Sequence, residues 1–147
     1  AQCLVGSEMC IRDSWMEQGI RPQFEITEEP VWIQGNRQAL RRTMQNIIKN
    51  GLDHGNKEIN IQLTKNGNEA ELVFRNKVTD PGEIDIKRVF ERFYKADRAR
   101  SKNSTGLGLS ISRGFVWKMN GEITAEIEGN WFCIKIRFAC EQFEGIH

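Results

Sequence analysis

Two alternating apolar runs, Ile59-x-Ile61-x-Leu63 and Leu72-x-Phe74, flank Asn66-Gly67-Asn68 in the middle of the chain. Alternation puts every second side chain on one face of a strand, and an Asn-Gly step supplies the positive backbone angles of a tight hairpin. A central antiparallel hairpin with one apolar face must be covered by something, and the flanking segments supply the cover. Asn36 can cap a helix running to about Leu52, on which Leu40, Met44, Ile47, Ile48 and Leu52 form one apolar stripe. A second helix, opening near Gly106, carries Leu107, Leu109, Ile111, Phe115, Val116 and Met119 and is stopped by Asn120-Gly121. Between them, Ile86, Val89, Phe90 and Phe93 predict a short amphipathic helix over 84–94. Ile123 to Ile127 and Phe132 to Phe138 read as a final hairpin around Glu128-Gly129-Asn130. Arg21 to Ile26 and Val31 to Gln34, separated by Glu28-Glu29-Pro30, read as a first one. Strands and helices do not alternate singly, so a dinucleotide-binding sheet is excluded, and no lysine follows the glycines as in a Walker loop. The expectation is an α/β fold: a two-layer α/β sandwich, its mixed, mostly antiparallel sheet covered by three helices.

Composition limits the partners. The 147 residues carry 21 basic and 20 acidic side chains, a net charge of +1, which gives no electrostatic case for wholesale binding to nucleic acid or to a membrane. Any anion site must therefore be local. The length suits one domain, expected over 15–147, with Trp15 to Gly19 as a short helical lead-in and 1–14 as either a tail or a sequence not native to the domain. No apolar run reaches membrane-spanning length, and a soluble chain is expected. Cys3, Cys10, Cys133 and Cys140 are not spaced as a zinc knuckle and read as free thiols of a reducing cytoplasm. Were Cys133 and Cys140 on one strand, their odd separation would put them on opposite faces, where no disulfide can join them.

Three stretches carry chemistry. In Ser104 to Ser112, the glycines at 106 and 108 let backbone approach a ligand, and the N–H groups of the helix that follows favour an anion such as phosphate. An ordinary loop-to-helix junction has the same appearance. Asn46 and Asn50 lie four residues apart, hence one above the other on the first helix, with His54 continuing the row. Such amides serve equally as a wet helix face or as a Mg²⁺ ligand and phosphate donors. Asn76 falls at the end of a strand, where α/β sheets place ligand contacts. Lys95, Arg98, Arg100 and Lys102 make the segment from Lys95 to Asn103 either a solvated loop or a basic lid over phosphates.

Taken together these residues resemble a known family. Asn46-Ile-Ile-Lys-Asn50-Gly-Leu-Asp-His54 is similar to the N box of sensor histidine kinases, Val89-Phe-Glu-Arg-Phe-Tyr-Lys-Ala-Asp-Arg98 to their F box, and Thr105-Gly-Leu-Gly-Leu-Ser-Ile111 to their second glycine box. The resemblance, in the family's order, covers about residues 17 to 139. It implies the catalytic ATP-binding domain and its Bergerat fold. It further implies that Asn50 ligates magnesium, that Asn46 neighbours phosphate or metal, and that His54 sits against the nucleotide. Tyr94 and Lys95 would contact base or sugar and phosphate, while Thr105, Gly106, Leu107, Gly108 and Leu109 would cradle the phosphates. Asn76 matches the aspartate that accepts from the adenine amino group. In the intact system ATP and Mg²⁺ would serve transfer of the γ-phosphoryl group to a histidine on a separate dimerisation domain, and a response regulator would follow. This chain's two histidines, His54 and His147, are not in a His-Glu helix, so the resemblance implies a fragment of a larger, dimeric, membrane-anchored bacterial sensor, this part being cytoplasmic.

Some positions depart from the pattern. Asn76 stands for the aspartate, and Lys77 to Pro81 lacks the glycines that follow it. Asp53 stands where many members carry lysine, and Gly129-Asn130-Trp131 replaces a late Gly-Thr pair. These leave two alternatives open: an interaction module of the same fold that no longer binds ATP, and an ATPase or serine kinase of that fold.

Overall fold

The computed structural model describes residues 2–3, 23–26, 31–33, 35–54, 58–92 and 108–141. The elements are β1 (Gln2–Cys3), β2 (Gln23–Ile26), β3 (Trp32–Ile33), α1 (Arg37–His54), β4 (Ile59–Asn66), β5 (Glu69–Lys77), α2 (Gly108–Lys118), β6 (Glu122–Glu128) and β7 (Trp131–Glu141). They form a seven-stranded sheet in the order β1-β3-β7-β5-β4-β2, with β6 also paired to β7.

Register explains why one face is buried. Ile61 lies opposite Phe74 and Leu63 opposite Leu72; Phe74 and Leu72 in turn face Ile134 and Ile136. Ile123 pairs with Ile136 and Ala125 with Ile134. Period-two patterning thus brings all these side chains to one face, where Leu40, Met44, Ile47 and Ile48 of α1 and Leu109 and Val116 of α2 close the core. The helices meet through small residues. Thr43 and Ser112 are fully buried, and each hydroxyl donates to a carbonyl one turn back, Ala39 at 2.9 Å and Gly108 at 3.0 Å, so neither is left unpaired.

The central and C-terminal hairpins are present, each with a two-residue Gly-Asn turn. Gly67 (φ 61°) lies between the paired Asn66 and Glu69, and Gly129 (φ 62°) between Glu128 and Trp131. A positive φ at the first central position is what a Gly-led hairpin turn requires. The expected N-terminal hairpin is not formed. β2 pairs in parallel with β4, Phe24 beside Ile61 and Ile26 beside Leu63, whereas β3 pairs antiparallel with the end of β7. They lie on opposite sides of β7, β5 and β4. The reason is burial: two short strands paired with each other bury little, whereas each extends the apolar face by joining a long strand. Gln2 and Cys3, expected in a tail, pair with Ile33 and Trp32.

The third helix is also absent among the described residues. Pro81–Glu83 is a single 3₁₀ turn, and from Ile84 to Arg92 the backbone bonds are of the short type, Arg88 N–H to Asp85 at 2.9 Å and Glu91 N–H to Arg88 at 2.9 Å. The Asp85 side chain accepts from Lys87 N–H at 3.1 Å, the competition by which aspartate favours turns over helix. The apolar spacing still works, since Val89 is buried and Ile86 and Phe90 pack on the core.

Helix ends follow the sequence cues. Asn36 Oδ1 accepts from the N–H groups of Gln38 and Ala39 at 2.9 and 3.1 Å. Asn36→Ala should therefore cost about 1 kcal/mol, read as a lower urea midpoint with unchanged slope. At the end of α2, Asn120 (φ 59°) donates to Trp117 and Gly121 to Val116, the paired bonds of a Schellman stop.

The other face of the sheet is charged. Arg137 pairs with Glu122 at 3.0 Å, Arg75 lies near Glu128, Lys77 near Glu58, and Lys135 pairs with Glu126. Hydrogen bonding to Lys135 holds the Glu126 carboxyl below its usual range and raises the Lys135 ammonium in return. Val73 and Cys133 are nonetheless buried on this face, among long side chains whose stems cover them. Cys133 and Cys140 do share one strand and point to opposite faces, as free thiols that burial pushes up.

Candidate functional site

Asn46 and Asn50 project from α1 as half-buried side chains one turn apart. The fold brings the glycine stretch to the first of them. A Cβ added to Gly108, the first residue of α2, would lie 3.8 Å from Asn46 Cβ and 3.9 Å from its carbonyl oxygen. The opening turn of α2, whose N–H groups have no acceptor within the helix, thus abuts the asparagine row. Leu109 anchors that turn in the core at 8% exposure. Gly108 itself has neither a positive φ nor a crowded Cβ position, so packing alone does not demand glycine there.

Asn76 occupies the last turn-ward stretch of β5 in the series that faces the helices, between Ile59 and Phe132. Only 6% of it is exposed. The backbone around it is pinned from both sides, Lys77 N–H donating to Glu58 at 3.0 Å and Val78 N–H to Asn130 at 2.8 Å. Two enclosed carboxamide nitrogens, those of Asn46 and Asn76, have no hydrogen-bond partner among the described residues. Arg75 Nε, on the charged face, is also enclosed and unpaired. A buried unpaired polar group costs about 1–3 kcal/mol, and the two carboxamides differ from it in lying on the side of the sheet that carries the helices, where a ligand could satisfy them.

Of the other sequence-predicted residues, His54 ends α1 but its side chain lies outside the described residues, as does that of Asp53. Tyr94, Lys95, Thr105, Gly106 and Leu107, and the whole basic segment from Lys95 to Asn103, lie outside them too. Among the described residues no three His, Cys, Asp or Glu side chains gather as a metal cage. The donor set fits a magnesium ion held by one asparagine oxygen with phosphate and water completing the shell, the usual arrangement for Mg²⁺.

One cluster was not foreseen. Arg113 lies 4.5 Å from the Trp117 ring centre and 5.9 Å from that of Phe90, tying α2 to the turn segment by cation–π contacts. Trp117 is 59% exposed and Ile111 38%, so the outer side of α2 is apolar where the helical stripe predicts Ile111 inside. The signal in the sequence was Trp117, which falls off the stripe that places Val116 in the core.

The model of the histidine kinase-, DNA gyrase B- and HSP90-like ATPases matches residues 35–140. This chain belongs to that ATPase family. Sensor histidine kinase YcbM of Bacillus subtilis is 30% identical over 118 residues, 78% of this chain and 38% of YcbM. The probable sensor protein PcoS of Escherichia coli is 30% identical over 109 residues, 71% of this chain and 23% of PcoS. The chain thus spans well under half the length of either relative. Among solved structures, the mycobacterial sensor histidine kinase MprB superposes with TM-score 0.73 at 24% identity, covering 93% of both chains. The catalytic domain of histidine kinase ThkA does so with 0.78 at 18% identity, covering 95% of this chain and 96% of that one. Within the ATPase family the chain is an ATP-binding catalytic domain of the sensor histidine kinase type. No described helix is long and apolar enough to cross a membrane.

Proposed function

We propose that this domain, over 15–147, binds Mg-ATP and, in a longer protein, passes the γ-phosphoryl group to a histidine on a separate dimerisation domain, from which a response regulator takes it. The observation that carries the reading is the meeting of the opening turn of α2 with Asn46, whose amide is enclosed and unpaired. That amide donates to a phosphate oxygen, and the first N–H groups of α2, from Gly108 and Leu109, receive the phosphate chain. Asn50 offers its side-chain oxygen to the metal. Magnesium, when bound, neutralises charge that builds on the phosphate oxygens. Asn76 faces the base. Tyr94, Lys95, Thr105, Gly106 and Leu107 complete the nucleotide contacts, Lys95 as a cation for the phosphates, and His54 lies beside the nucleotide. The chain's own part in transfer is to orient the triphosphate and lower its charge, which is most of what phosphoryl transfer asks of a protein. Relatives named as sensors, one of them a sensor histidine kinase, support a two-component setting for the whole protein.

Calorimetric titration of the 147-residue chain with ATP, with and without magnesium, tests the first half of this reading. Saturable binding below millimolar nucleotide that weakens on chelation is the expected result. Absence of any affinity at millimolar ATP overturns it and leaves a module of this fold that no longer binds nucleotide.

A further inference from the structure

Asn76 is a carboxamide buried at 6% exposure, and its nitrogen has no partner among the described residues. It sits where a base would be read if the nucleotide lies as proposed above, and the inference rests on that reading. We infer that Asn76 makes this site a dual reader of purines, accepting a 6-oxopurine nucleotide as readily as ATP.

The argument is one of donors and acceptors. Adenine presents a donor at its 6-amino group and an acceptor at N1; hypoxanthine and guanine present an acceptor at O6 and a donor at N1. A carboxylate in that place is acceptor-only, so it matches a 6-amino group and faces a 6-oxo group lone pair to lone pair. A carboxamide has both functions. With its oxygen toward the 6-amino group, its nitrogen donates to adenine N1. Turned over about its terminal torsion, it donates to O6 and accepts from N1–H. Each arrangement forms two hydrogen bonds and uses the nitrogen that the folded chain leaves unpaired. Terminal amide torsions are broad and two-fold, so neither orientation is favoured beforehand. The backbone just after Asn76 is pinned, Lys77 N–H to Glu58 on one flank and Val78 N–H to Asn130 on the other, and so holds the group in place while the amide turns. Ile59 and Phe132, its cross-strand neighbours, are apolar and offer no competing partner. Selectivity in such sites comes mainly from leaving a buried polar group unpaired with the wrong ligand, and here neither base does so.

The test compares ATP with inosine triphosphate, which differs only in the 6-substituent and the N1 proton, on the 147-residue chain in magnesium buffer. The two dissociation constants should agree within about threefold, and Asn76→Asp should shift the ratio at least about tenfold toward ATP. Tight ATP binding with inosine triphosphate rejected more than about tenfold by the unaltered chain overturns the inference while leaving nucleotide binding intact. Failure of both nucleotides to bind overturns the parent reading and this one together. Because Asn76→Asp buries a charge, Asn76→Ala provides the second arm. It removes both bonds at once, so it should weaken the two nucleotides equally; a selective loss of ATP overturns the inference.

Discussion

Gly121→Ala should lower the thermal unfolding midpoint by roughly 10 °C, a loss of about 2–3 kcal/mol, although it adds one methyl group. A Cβ at Gly121 would stand 2.7 Å from two ring carbons of Phe138 and 2.8 Å from the Arg137 carbonyl oxygen. Neither neighbour can give way cheaply. Phe138 is 3% exposed in the core, and the carbonyl is backbone of the strand that pairs β6 to the sheet. Gly121 also closes the Schellman stop of α2 through its bond to Val116, so displacing it disturbs both layers. Gly114→Ala supplies the opposing sign. That glycine is exposed inside α2 with no atom within 4 Å of its Cβ position, and alanine there should raise stability by about 0.5–1 kcal/mol. Differential scanning calorimetry of the two variants decides the matter: a Gly121→Ala protein that melts with the parent means that Gly121 does not meet Phe138 and the Arg137 carbonyl as described.

The same contacts show why some of the fold is legible from residues alone. Asn36 acts through a side chain that reaches only its own first turn, and the Gly-Asn turns and Asn120-Gly121 act through their own backbone, so local chemistry predicts their placement, and the alternating runs of β4, β5 and β7 predict their faces. Pairing is another matter. Nothing in Phe24 or Ile26 says whether the partner is the next strand or one beyond a helix. Burial against Ile61 and Leu63 decides that, and burial is a property of the assembled sheet. The segment 84–92 fails differently, its helical spacing being real while Pro81 and Asp85 supply stronger local turn chemistry.

The site divides along the same line. The asparagine row on α1 follows from helical periodicity, and a glycine stretch before an apolar helix is visible as a phosphate cue. Their meeting at Asn46 and Gly108 is tertiary and cannot be read from spacing. Asn76 was visible as a strand-end residue, but not the enclosure that leaves its nitrogen unpaired. Arg113 and Trp117 carried no cue beyond one tryptophan off the stripe, because exposure on a helix depends on what the neighbouring segment leaves uncovered.

Asn50→Ala should separate metal binding from folding. The side chain is half-buried on α1, one turn beyond Asn46, and alanine is the better helix former, so the unfolding midpoint should hold or rise by an amount worth about half a kcal/mol. Nucleotide affinity should move the other way. An oxygen ligand to a divalent ion is a charge-assisted contact, and its loss should weaken ATP binding in magnesium by about tenfold to hundredfold. The sharper expectation concerns chelation. The parent chain should lose affinity when magnesium is removed, whereas Asn50→Ala should bind ATP equally with and without the ion and at the parent's metal-free strength. Equality of those three values assigns the metal contact to Asn50 rather than to general electrostatics, because a net charge of +1 is unchanged by the substitution. A variant that keeps the parent's full magnesium dependence removes Asn50 from the coordination shell. A variant weakened equally in both buffers makes it a nucleotide contact without a metal role.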